Sequence, residues 1–471
     1  MRVLHTSLEC YPLAKVGGLG DVVGSLPKYL TDLDCVTDVI LPFYDNKKMN
    51  ELTYENVYSG TVNLGDNTFD FSIKKLKSTE FGFQIFLVHQ EELLYRPNVY
   101  SYDDDTERFV LFQLAVLNWL LETDTKPDVI HCHDHHTGLI PFLISYANKY
   151  QILKHIPTIL TIHNAQYQGQ FSYDKLSYLP QFDMNNVGLL DWDHCINPLA
   201  AGIKCAWRVT TVSPSYMHEL QREANGLEGL LAHENAKCIG ILNGIDHQIW
   251  NTETDPMIVK NYGIETLVSG RRANKEWLCQ EFKFDIDKPL FAFIGRLVYE
   301  KGADLLPDII TEVLQHMDVN ILILGSGNHE VETKLEDLKE RFSNSYNTYI
   351  GYDEKLSHII YAGADFLLMP SRVEPCGLNQ MYSLRYGLIP IVRSIGGLKD
   401  TVIDIGDGGF GICHNQANIQ DVYYSIKRGV EFYMDQKYYR ETQKKVIQID
   451  NSWNNSAYQY IELYKTLNQL K

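Results

Sequence analysis

Short apolar segments alternate with amphipathic segments along nearly the whole chain. Apolar runs of about five residues predict buried strands, and they occur at 129–132, 158–162, 209–212, 290–294, 321–324, 366–369 and 389–392. Between them, stretches such as 109–121 and 137–147 carry apolar residues at helical spacing. Buried strands that alternate with helices are typical of parallel sheets covered on both faces, so the sequence predicts an α/β fold.

The alternation is interrupted after Asn243, where a polar, proline-containing segment extends to Pro256. A chain of 471 residues is too long for one ordinary core, and two domains of ~200 residues are expected. We predict two doubly wound domains, at 1–245 and 246–471, with a deep cleft between them at the carboxyl ends of their strands.

The last segment, 453–471, is expected to form a helix that docks back on the body of the protein. Its apolar residues recur at helical spacing, at Tyr458, Ile461, Tyr464 and Leu467. Such a stripe is typical of a helix with one buried face.

Composition narrows the possible partners and compartments. The net charge of −18 disfavours nucleic acid and anionic membrane surfaces as partners. The nine cysteines are scattered without a CxxC pair, which predicts reduced thiols rather than a disulfide framework. We find no signal, transit or transmembrane segment in the sequence, so a cytoplasmic location is expected.

A glycine-rich turn between Lys15 and Gly24 follows the first predicted strand and precedes an amphipathic run. Backbone amides at such a turn can approach an anion, and a nearby lysine can reach a phosphate. The spacing of Gly18, Gly20 and Gly24 is G-x-G-x-x-x-G, which differs from the dinucleotide fingerprint. The lysine precedes the glycines, unlike the lysine of an ATP-binding P-loop. A phosphate site and a purely structural turn both remain possible here.

The second predicted domain begins with a strand that is followed by two cations, Arg296 and Lys301. An arginine can grip a phosphate with two donors, and a lysine can act on it as a point charge. Both could instead be ordinary surface charges. Their position directly after a buried strand favours the phosphate interpretation.

A third candidate follows the strand at 366–369, where Glu374 precedes Pro375-Cys376-Gly377-Leu378. We expect this segment to begin a helix, so that the amides of Cys376, Gly377 and Leu378 would bind an anion or sugar hydroxyls. Glu374 would then lie within reach of the same ligand, although an isolated glutamate is usually a solvated side chain.

His163 follows a predicted strand of the first domain and is expected to face the cleft, although a lone histidine is more often a structural one. Asp134, at the end of another predicted strand, is the better functional candidate of its segment. The histidine-rich run 131–136 suggests a metal site, but adjacent strand residues point to opposite faces and helical zinc-ligand spacing is missing. We therefore predict no metal. The acidic run 103–105 contains a D-x-D pattern, for which a solvated helix N-cap is the favoured interpretation.

Together these segments resemble the bacterial and plant-type glycogen and starch synthases, which are retaining glycosyltransferases of the GT-B architecture. The resemblance spans nearly the whole chain. It is carried by Lys15 to Asp21, His131 to Gly138, Thr161 to Gly169, Thr211 to Pro214, Asn243 to Asp246, Gly295 to Gly302, Gly351-Tyr352, Ser371 to Leu378 and Gly396 to Leu398.

The resemblance implies two Rossmann-like domains, an acceptor-side domain at 1–245 and a nucleotide-sugar-binding domain at 246–471. It also implies a role for each candidate residue. The donor-binding set would comprise Lys15, Gly18, Asp21, Asp134, Asn243, Tyr352, Cys376, Gly377 and Leu378, with Tyr352 stacking on the base. The catalytic set would comprise Glu374, His163, Lys301 and Arg296.

The implied reaction transfers glucose from ADP-glucose to the non-reducing end of an α-1,4-glucan, with retention and without a cofactor. The expected partners are the nucleotide sugar and a glycogen or maltooligosaccharide acceptor. A related transferase that uses UDP-glucose is an alternative, as is an inactive glucan-binding homologue. The inactive homologue is disfavoured because it has no chemical need for all of the charged candidates.

The sequence departs from the family pattern at three positions. Asn379 stands where threonine is common, Ala200 where lysine is usual, and His135 where tryptophan is usual. The phosphate-binding candidates are unaffected, so these departures bear on acceptor or donor preference more than on activity.

Overall fold

The computed structural model describes residues 1–78 and 80–469, apart from the side chains of residues 468 and 469. The chain forms two compact units: unit 1 contains Met1–Asn243 and the C-terminal segment from Trp453, and unit 2 contains Gly244–Ser452. The sequence predicted a boundary after residue 245 and assigned the last helix to the second domain. In the structure the division falls two residues earlier, and the last helix belongs to unit 1.

Unit 1 is built on a nine-stranded sheet flanked by helices. The strands of unit 1 are β1 (Arg2–Thr6), β2 (Val36–Pro42), β3 (Tyr54–Leu64), β4 (Asn67–Leu76), β5 (Gln84–His89), β6 (Val129–His133), β7 (Thr158–Ile162), the short pair β8 (Asp191–Trp192) and β9 (Cys195–Ile196), β10 (Arg208–Thr211) and β11 (Cys238–Gly240). Its first seven helices are α1 (Gly18–Thr31), α2 (Lys47–Asn50), α3 (Asp105–Glu122), α4 (Ile140–Tyr146), α5 (Pro198–Cys205), α6 (Pro214–Leu220) and α7 (Glu228–His233).

The large sheet of unit 1 has the strand order β11-β10-β7-β6-β1-β2-β5-β4-β3. The strands from β11 to β5 are parallel, as the apolar runs predicted. β4 is antiparallel to β5, and the edge strand β3 is antiparallel to β4; the pattern of apolar positions did not predict this pair. Only Gly65 and Asp66 connect them, and so short a connection can join antiparallel strands but not parallel ones.

Unit 2 contains a six-stranded sheet that is parallel throughout. The strands are β12 (Leu290–Ile294), β13 (Asn320–Gly325), β14 (Tyr346–Ile350), β15 (Phe366–Met369), β16 (Ile389–Arg393) and β17 (Ile412–His414), and they lie in the order β14-β13-β12-β15-β16-β17. The helices are α8 (Leu267–Phe282), α9 (Leu306–His316), α10 (His329–Arg341), α11 (Glu354–Gly363), α12 (Asn379–Arg385), α13 (Gly396–Thr401), α14 (Ile419–Met434) and α15 (Gln436–Val446).

The C-terminal helix, α16 (Trp453–Gln469), packs on unit 1 through one apolar face. That face joins a core cluster with Val22, Leu26 and Leu30 of α1. Its members are Trp453, Ala457, Tyr460, Ile461, Tyr464 and Leu467. Tyr458, which the sequence placed in the buried stripe, is 58% exposed because the helical repeat turns that position away from the core.

None of the described helices is long and apolar enough to cross a lipid bilayer. All nine cysteines are free thiols, and five of them are buried.

Candidate functional site

Each large sheet has one point where the strand order reverses. In unit 1 the reversal lies between β1 and β6, and in unit 2 it lies between β12 and β15. The connections that leave neighbouring strands at such a point diverge, which opens a crevice at the carboxyl ends of the strands where ligands bind. The charged candidates of unit 2 follow these two strands, and Lys15 and Asp134 follow β1 and β6 of unit 1.

The glycine turn of unit 1 holds Lys15 beside Asp21, with Nζ 2.7 Å from Oδ1. The turn is only partly available to an anion, because the buried carboxylate of Glu9 already accepts from the amides of Val16 and Gly17, at 2.6 and 2.9 Å. The amide of Gly18 has no hydrogen-bond partner within the described part of the chain, and it stands at the start of α1.

Asp134 is held in a strained position directly after β6. It has a φ of 57°, a region that residues other than glycine enter rarely and mostly where the surrounding structure compels it. Its Oδ1 accepts from the backbone amide of His163 at 2.7 Å. Burial raises the pKa of Asp134 to about 7, and the nearby carboxylate of Glu9 adds to the rise. This carboxyl group can therefore exchange a proton near neutral pH.

His163 follows β7 and is 9% exposed. Burial lowers the pKa of His163 to about 3, so its ring is neutral at physiological pH. Its Nε2 lies 2.9 Å from Nδ1 of His133, and Nδ1 of His163 has no partner among residues 1–78 and 80–469. Nδ1 of His163 is therefore available to bind a ligand.

Asn243, the last residue of unit 1 before unit 2, is buried with its Oδ1 unpartnered by any described residue. A buried amide oxygen that lacks a donor costs about 1–3 kcal/mol. That cost is relieved if a ligand hydroxyl donates to it.

In unit 2, the strand order reverses between β12 and β15. Lys301, which follows β12, forms an ion pair with Glu374, which follows β15. Lys301 Nζ lies 2.6 Å from Oε1 and 2.7 Å from Oε2 of Glu374. The hydroxyl of Ser371 donates to Oε2 of the same carboxylate at 2.9 Å. Glu374 is buried, and Lys301 is half-buried, so both are oriented before any ligand arrives.

Arg296 is exposed and makes one loose ion pair, 3.6 Å from the carboxylate of Glu300. It stands two residues after the end of β12, while Lys301 follows in the next turn. Unlike Lys301, its guanidinium is held only weakly and can turn toward a bound anion.

The segment after Glu374 differs slightly from the predicted helix start. Leu378 is the N-cap and α12 begins at Asn379, so Cys376 and Gly377 lie in the preceding turn, with Gly377 at a φ of 71°. The amides of Gly377 and Leu378 have no hydrogen-bond partner within the described residues. They remain candidates for an anion or a sugar hydroxyl, presented by a turn instead of a helix.

Gly396 and Gly397, at the start of α13, pack against the turn that follows Glu374. The amide of Gly397 donates to the carbonyls of Glu374 and Pro375, both at 3.2 Å. A Cβ at Gly396 would lie 2.0 Å from the carbonyl oxygen of Glu374, and one at Gly397 would lie 2.1 Å from that of Cys376. The Gly396-Gly397 pair is therefore required for the close approach that positions Glu374.

Tyr352 lies just beyond β14, at the same carboxyl edge of the unit 2 sheet as Lys301 and Glu374. Its side chain is 77% exposed. An exposed aromatic ring beside candidate phosphate-binding groups has the chemistry to stack on a nucleotide base.

Within the acidic run at 103–105, Asp104 is the N-cap residue of α3, as predicted, but its side chain makes no capping hydrogen bond. Asp104 pairs with the guanidinium of Arg96 through two 2.7 Å hydrogen bonds, and Asp105 pairs with Arg108. The N-cap position was therefore predicted correctly, whereas the side chains of Asp104 and Asp105 are paired with arginines instead of being only solvated.

Three buried histidines, His5, His131 and His133, have ring nitrogens within 4.8 Å of one another. Both ring nitrogens of His131 and both of His133 are within hydrogen-bond distance of other groups. The rings of His131 and His133 also stack, with 17° between their planes, so their lone pairs do not converge on one point. The geometry favours a hydrogen-bonded stack, and the absence of a metal stays a prediction.

The sequence analysis missed two residues that the structure places in these sites, Glu9 and Ser371. Both are buried polar residues that directly follow or lie close to the end of a strand. A carboxylate between Leu8 and Cys10, in an otherwise apolar stretch, was the available signal for Glu9.

Comparison with known proteins identifies relatives over the full chain. A family model described as the starch synthase catalytic domain matches residues 2–233, and one described as glycosyl transferases group 1 matches residues 275–444. The chain is 53% identical to a glycogen synthase of Flavobacterium johnsoniae, over 100% of both chains. It is 37% identical to a glycogen synthase of Lactobacillus acidophilus, over 99% of this chain and 100% of the relative.

Solved structures agree with these matches. The catalytic domain of starch synthase IV from Arabidopsis thaliana, bound to ADP and acarbose, superposes with a TM-score of 0.91 at 33% identity, over 99% of both chains. A sucrose-phosphate synthase from Thermosynechococcus elongatus matches with a TM-score of 0.64 at 16% identity, over 100% of both chains, which supports the two-domain GT-B fold alone.

Proposed function

The chain belongs to the glycogen and starch synthase family of glycosyltransferases, and from that premise we propose that it transfers glucose from ADP-glucose to an α-1,4-glucan. The glucosyl group joins the non-reducing end of the acceptor with retention of configuration. The observation that carries this proposal is the pre-formed group of Lys301, Glu374 and Ser371 at the reversal of strand order in unit 2.

Departure of a nucleoside diphosphate builds negative charge on phosphate and positive charge on the anomeric carbon. Lys301 and Arg296 stabilise the phosphate charge, and the free amides of Gly377 and Leu378 add oriented donors. Glu374 and the main-chain carbonyl of His163 stabilise the positive charge. The group needs no metal or other cofactor for this role.

Retention is explained by attack on the face from which the diphosphate leaves. In this scheme the leaving phosphate oxygen accepts the proton of the attacking glucan hydroxyl as the new glycosidic bond forms. Because Lys301 bonds both oxygens of Glu374 in the free protein, the donor phosphates must draw Nζ away from one of them.

The remaining candidates bind the donor. Lys15 and the amide of Gly18 contact the diphosphate or the glucose, and Asp21, Asp134 and Asn243 contact the sugar. Tyr352 stacks on the base, and the amide of Cys376 joins those of the two following residues. The strained, protonatable Asp134 and the unpartnered Oδ1 of Asn243 support these assignments.

The choice of ADP-glucose draws on a relative, since the starch synthase IV domain was solved with ADP and acarbose. UDP-glucose remains the alternative donor. Rates of labelled glucose incorporation into glycogen from each donor, measured in parallel, decide between them. No incorporation from either donor by folded protein favours an inactive glucan-binding homologue and overturns the proposal.

The role of Glu374 has its own test. We expect Glu374→Ala to lower kcat by at least about 100-fold, the scale seen when one electrostatic contact to a transition state is removed. ADP affinity, measured by titration calorimetry, should be retained. Glu330→Ala, at an exposed glutamate of α10 in the same unit, serves as the matched control. Full activity of Glu374→Ala would show that the residue has another role.

A further inference from the structure

A chain of three hydrogen-bonded histidines runs from the interior of unit 1 to the exposed edge of His163. Nδ1 of His5 lies 3.0 Å from Nε2 of His133, and Nδ1 of His133 lies 2.9 Å from Nε2 of His163. His5 is on β1 and His133 is at the end of the neighbouring strand β6. Both are almost completely buried.

All three rings are neutral at physiological pH. Burial lowers the pKa of His5 and of His163 to about 3, and burial lowers that of His133 well below its ordinary range. A neutral imidazole has one N–H and one bare nitrogen, so each ring donates at one end and accepts at the other. The two hydrogen bonds therefore couple the tautomers of the three rings. Only two orders satisfy both bonds: every ring donates toward His163, or every ring donates toward His5.

The inner end of the chain selects between these two orders. Nε2 of His5 is buried and has no partner among the described residues. In one order this nitrogen is a bare acceptor, and in the other it is an orphaned N–H donor. Buried N–H groups without a partner are rarer in proteins than under-satisfied acceptors. The favoured order makes His5 donate to His133, and His133 donate to His163.

We propose that His133 and His5 are positioning residues that hold His163 in its Nδ1–H tautomer. In this tautomer Nδ1–H can donate a hydrogen bond to a hydroxyl oxygen of the glucose in the nucleotide sugar. This inference rests on the proposed function for the identity of the ligand. The tautomer itself is independent of that identity, because it follows from hydrogen bonds within unit 1.

His131 supports the chain without belonging to it. Its ring stacks on that of His133, with centroids 4.4 Å apart and 17° between the planes. Its own nitrogens are within hydrogen-bond distance of the hydroxyls of Tyr464 and Thr161, at 2.8 and 2.6 Å. His131 therefore fixes the plane of the His133 ring and leaves both nitrogens of His133 to the chain.

Two amide variants of His133 separate its two contacts. In His133→Asn the side-chain amide occupies the position of Nδ1 and can still donate to His163. In His133→Gln the amide reaches the position of Nε2, near His5, and leaves His163 without its donor. A purely structural role does not distinguish these variants in this way. His133→Phe removes both contacts, and the exposed His155→Asn is the matched control.

We expect kcat/KM for ADP-glucose to fall about tenfold in His133→Gln and His133→Phe, the loss corresponding to about one hydrogen bond. His133→Asn and His155→Asn should keep most of the wild-type value. If His133→Phe fails to fold, the Asn and Gln pair still decides the question. Equal activity of the Asn and Gln variants would overturn the proposal.

Fluorinated donors test the contact with the sugar. In a series of ADP-glucose analogues, each with one sugar hydroxyl replaced by fluorine, replacement of the hydroxyl that His163 contacts should lower wild-type activity beyond the loss that fluorine near the anomeric carbon causes in any variant. In His133→Gln that same replacement should cost much less, because the contact is already weakened. An identical pattern of losses in the two proteins would contradict the inference.

Nitrogen-15 NMR of histidine-labelled protein reads the tautomer directly and needs no substrate. We expect the His163 signals, assigned with a His163→Asn variant, to report Nδ1–H in the wild type and a changed tautomer ratio in His133→Phe. A wild-type His163 protonated on Nε2 would refute the assigned order. If the tautomer is as expected but the protein transfers glucose from neither nucleotide sugar, the proposed function fails. The positioning of His163 by His133 and His5 is then still supported.

Discussion

Replacing Lys301 with methionine removes a charge from an ion pair whose other member cannot escape to water. Glu374 keeps 6% of its side-chain surface exposed, against 25% for Lys301. Within the described residues, its carboxylate has the ammonium of Lys301 and the hydroxyl of Ser371 as hydrogen-bond partners. The variant therefore leaves a buried carboxylate with one neutral donor.

The size of the effect follows from this geometry. Breaking a fully buried ion pair costs about 3–5 kcal/mol. Because Lys301 is partly exposed and Ser371 still donates, we expect about 2 kcal/mol. A domain of about 200 residues loses about 2–4 °C of Tm per kcal/mol, so the expected shift is a decrease of about 4–8 °C.

The assay is differential scanning calorimetry of the full chain without ligand. The double variant Lys301→Met/Glu374→Gln removes both charges and keeps an acceptor for Ser371, so it should recover at least half of the loss. Lys334→Met breaks an exposed ion pair of unit 2, with a Lys334 to Glu330 distance of 2.7 Å, and should leave Tm unchanged. Equal shifts for Lys301→Met and Lys334→Met, or no recovery in the double variant, would refute the reasoning.

Three further predictions concern unit 1. Glu9→Ala frees the amides of Val16 and the following glycine from their internal carboxylate, so the turn loses its fixed shape. The KM for the donor should rise several-fold while Tm falls slightly, as initial rates and calorimetry will show. Asp134, with a pKa raised by burial to about 7, stabilises the fold while it is protonated. That stability is fully present below about pH 4 and is lost as pH rises through about 7, so the Tm of Asp134→Asn relative to wild type should increase between pH 4.5 and 8. A constant difference would contradict the raised pKa. Tyr464→Phe leaves Nδ1 of the buried His131 without its 2.8 Å partner and should cost about 1–3 kcal/mol in urea unfolding. No loss would indicate that this contact is replaced.

The strands that carry the candidate site were predictable from the sequence. The apolar runs at 290–294 and 366–369 became Leu290–Ile294 and Phe366–Met369, because a strand buried on both faces needs continuous apolar residues whatever its neighbours are. The antiparallel hairpin of β3 and β4 was not predicted, since a half-exposed edge strand carries no such run. Tyr458 shows a similar limit: helical spacing predicted that the last helix has one buried face, but not which residues lie on that face.

The sequence by itself determined the alternation of strands and helices, the two-domain class and the short segments that end in charged residues, because these follow from local periodicity and local chemistry. It could not determine which strand ends lie next to each other in the folded protein. Lys301 and Glu374 are distant along the chain, and only the adjacency of β12 and β15 brings them within 2.6 Å. The tertiary structure also decided that Glu9 closes part of the glycine turn and that His163 is tied to His5. The first result depends on the folded shape of the loop between β1 and α1, which brings residues seven and eight positions apart into contact. The second depends on contacts between strands whose order in the sheet is not written in any local pattern.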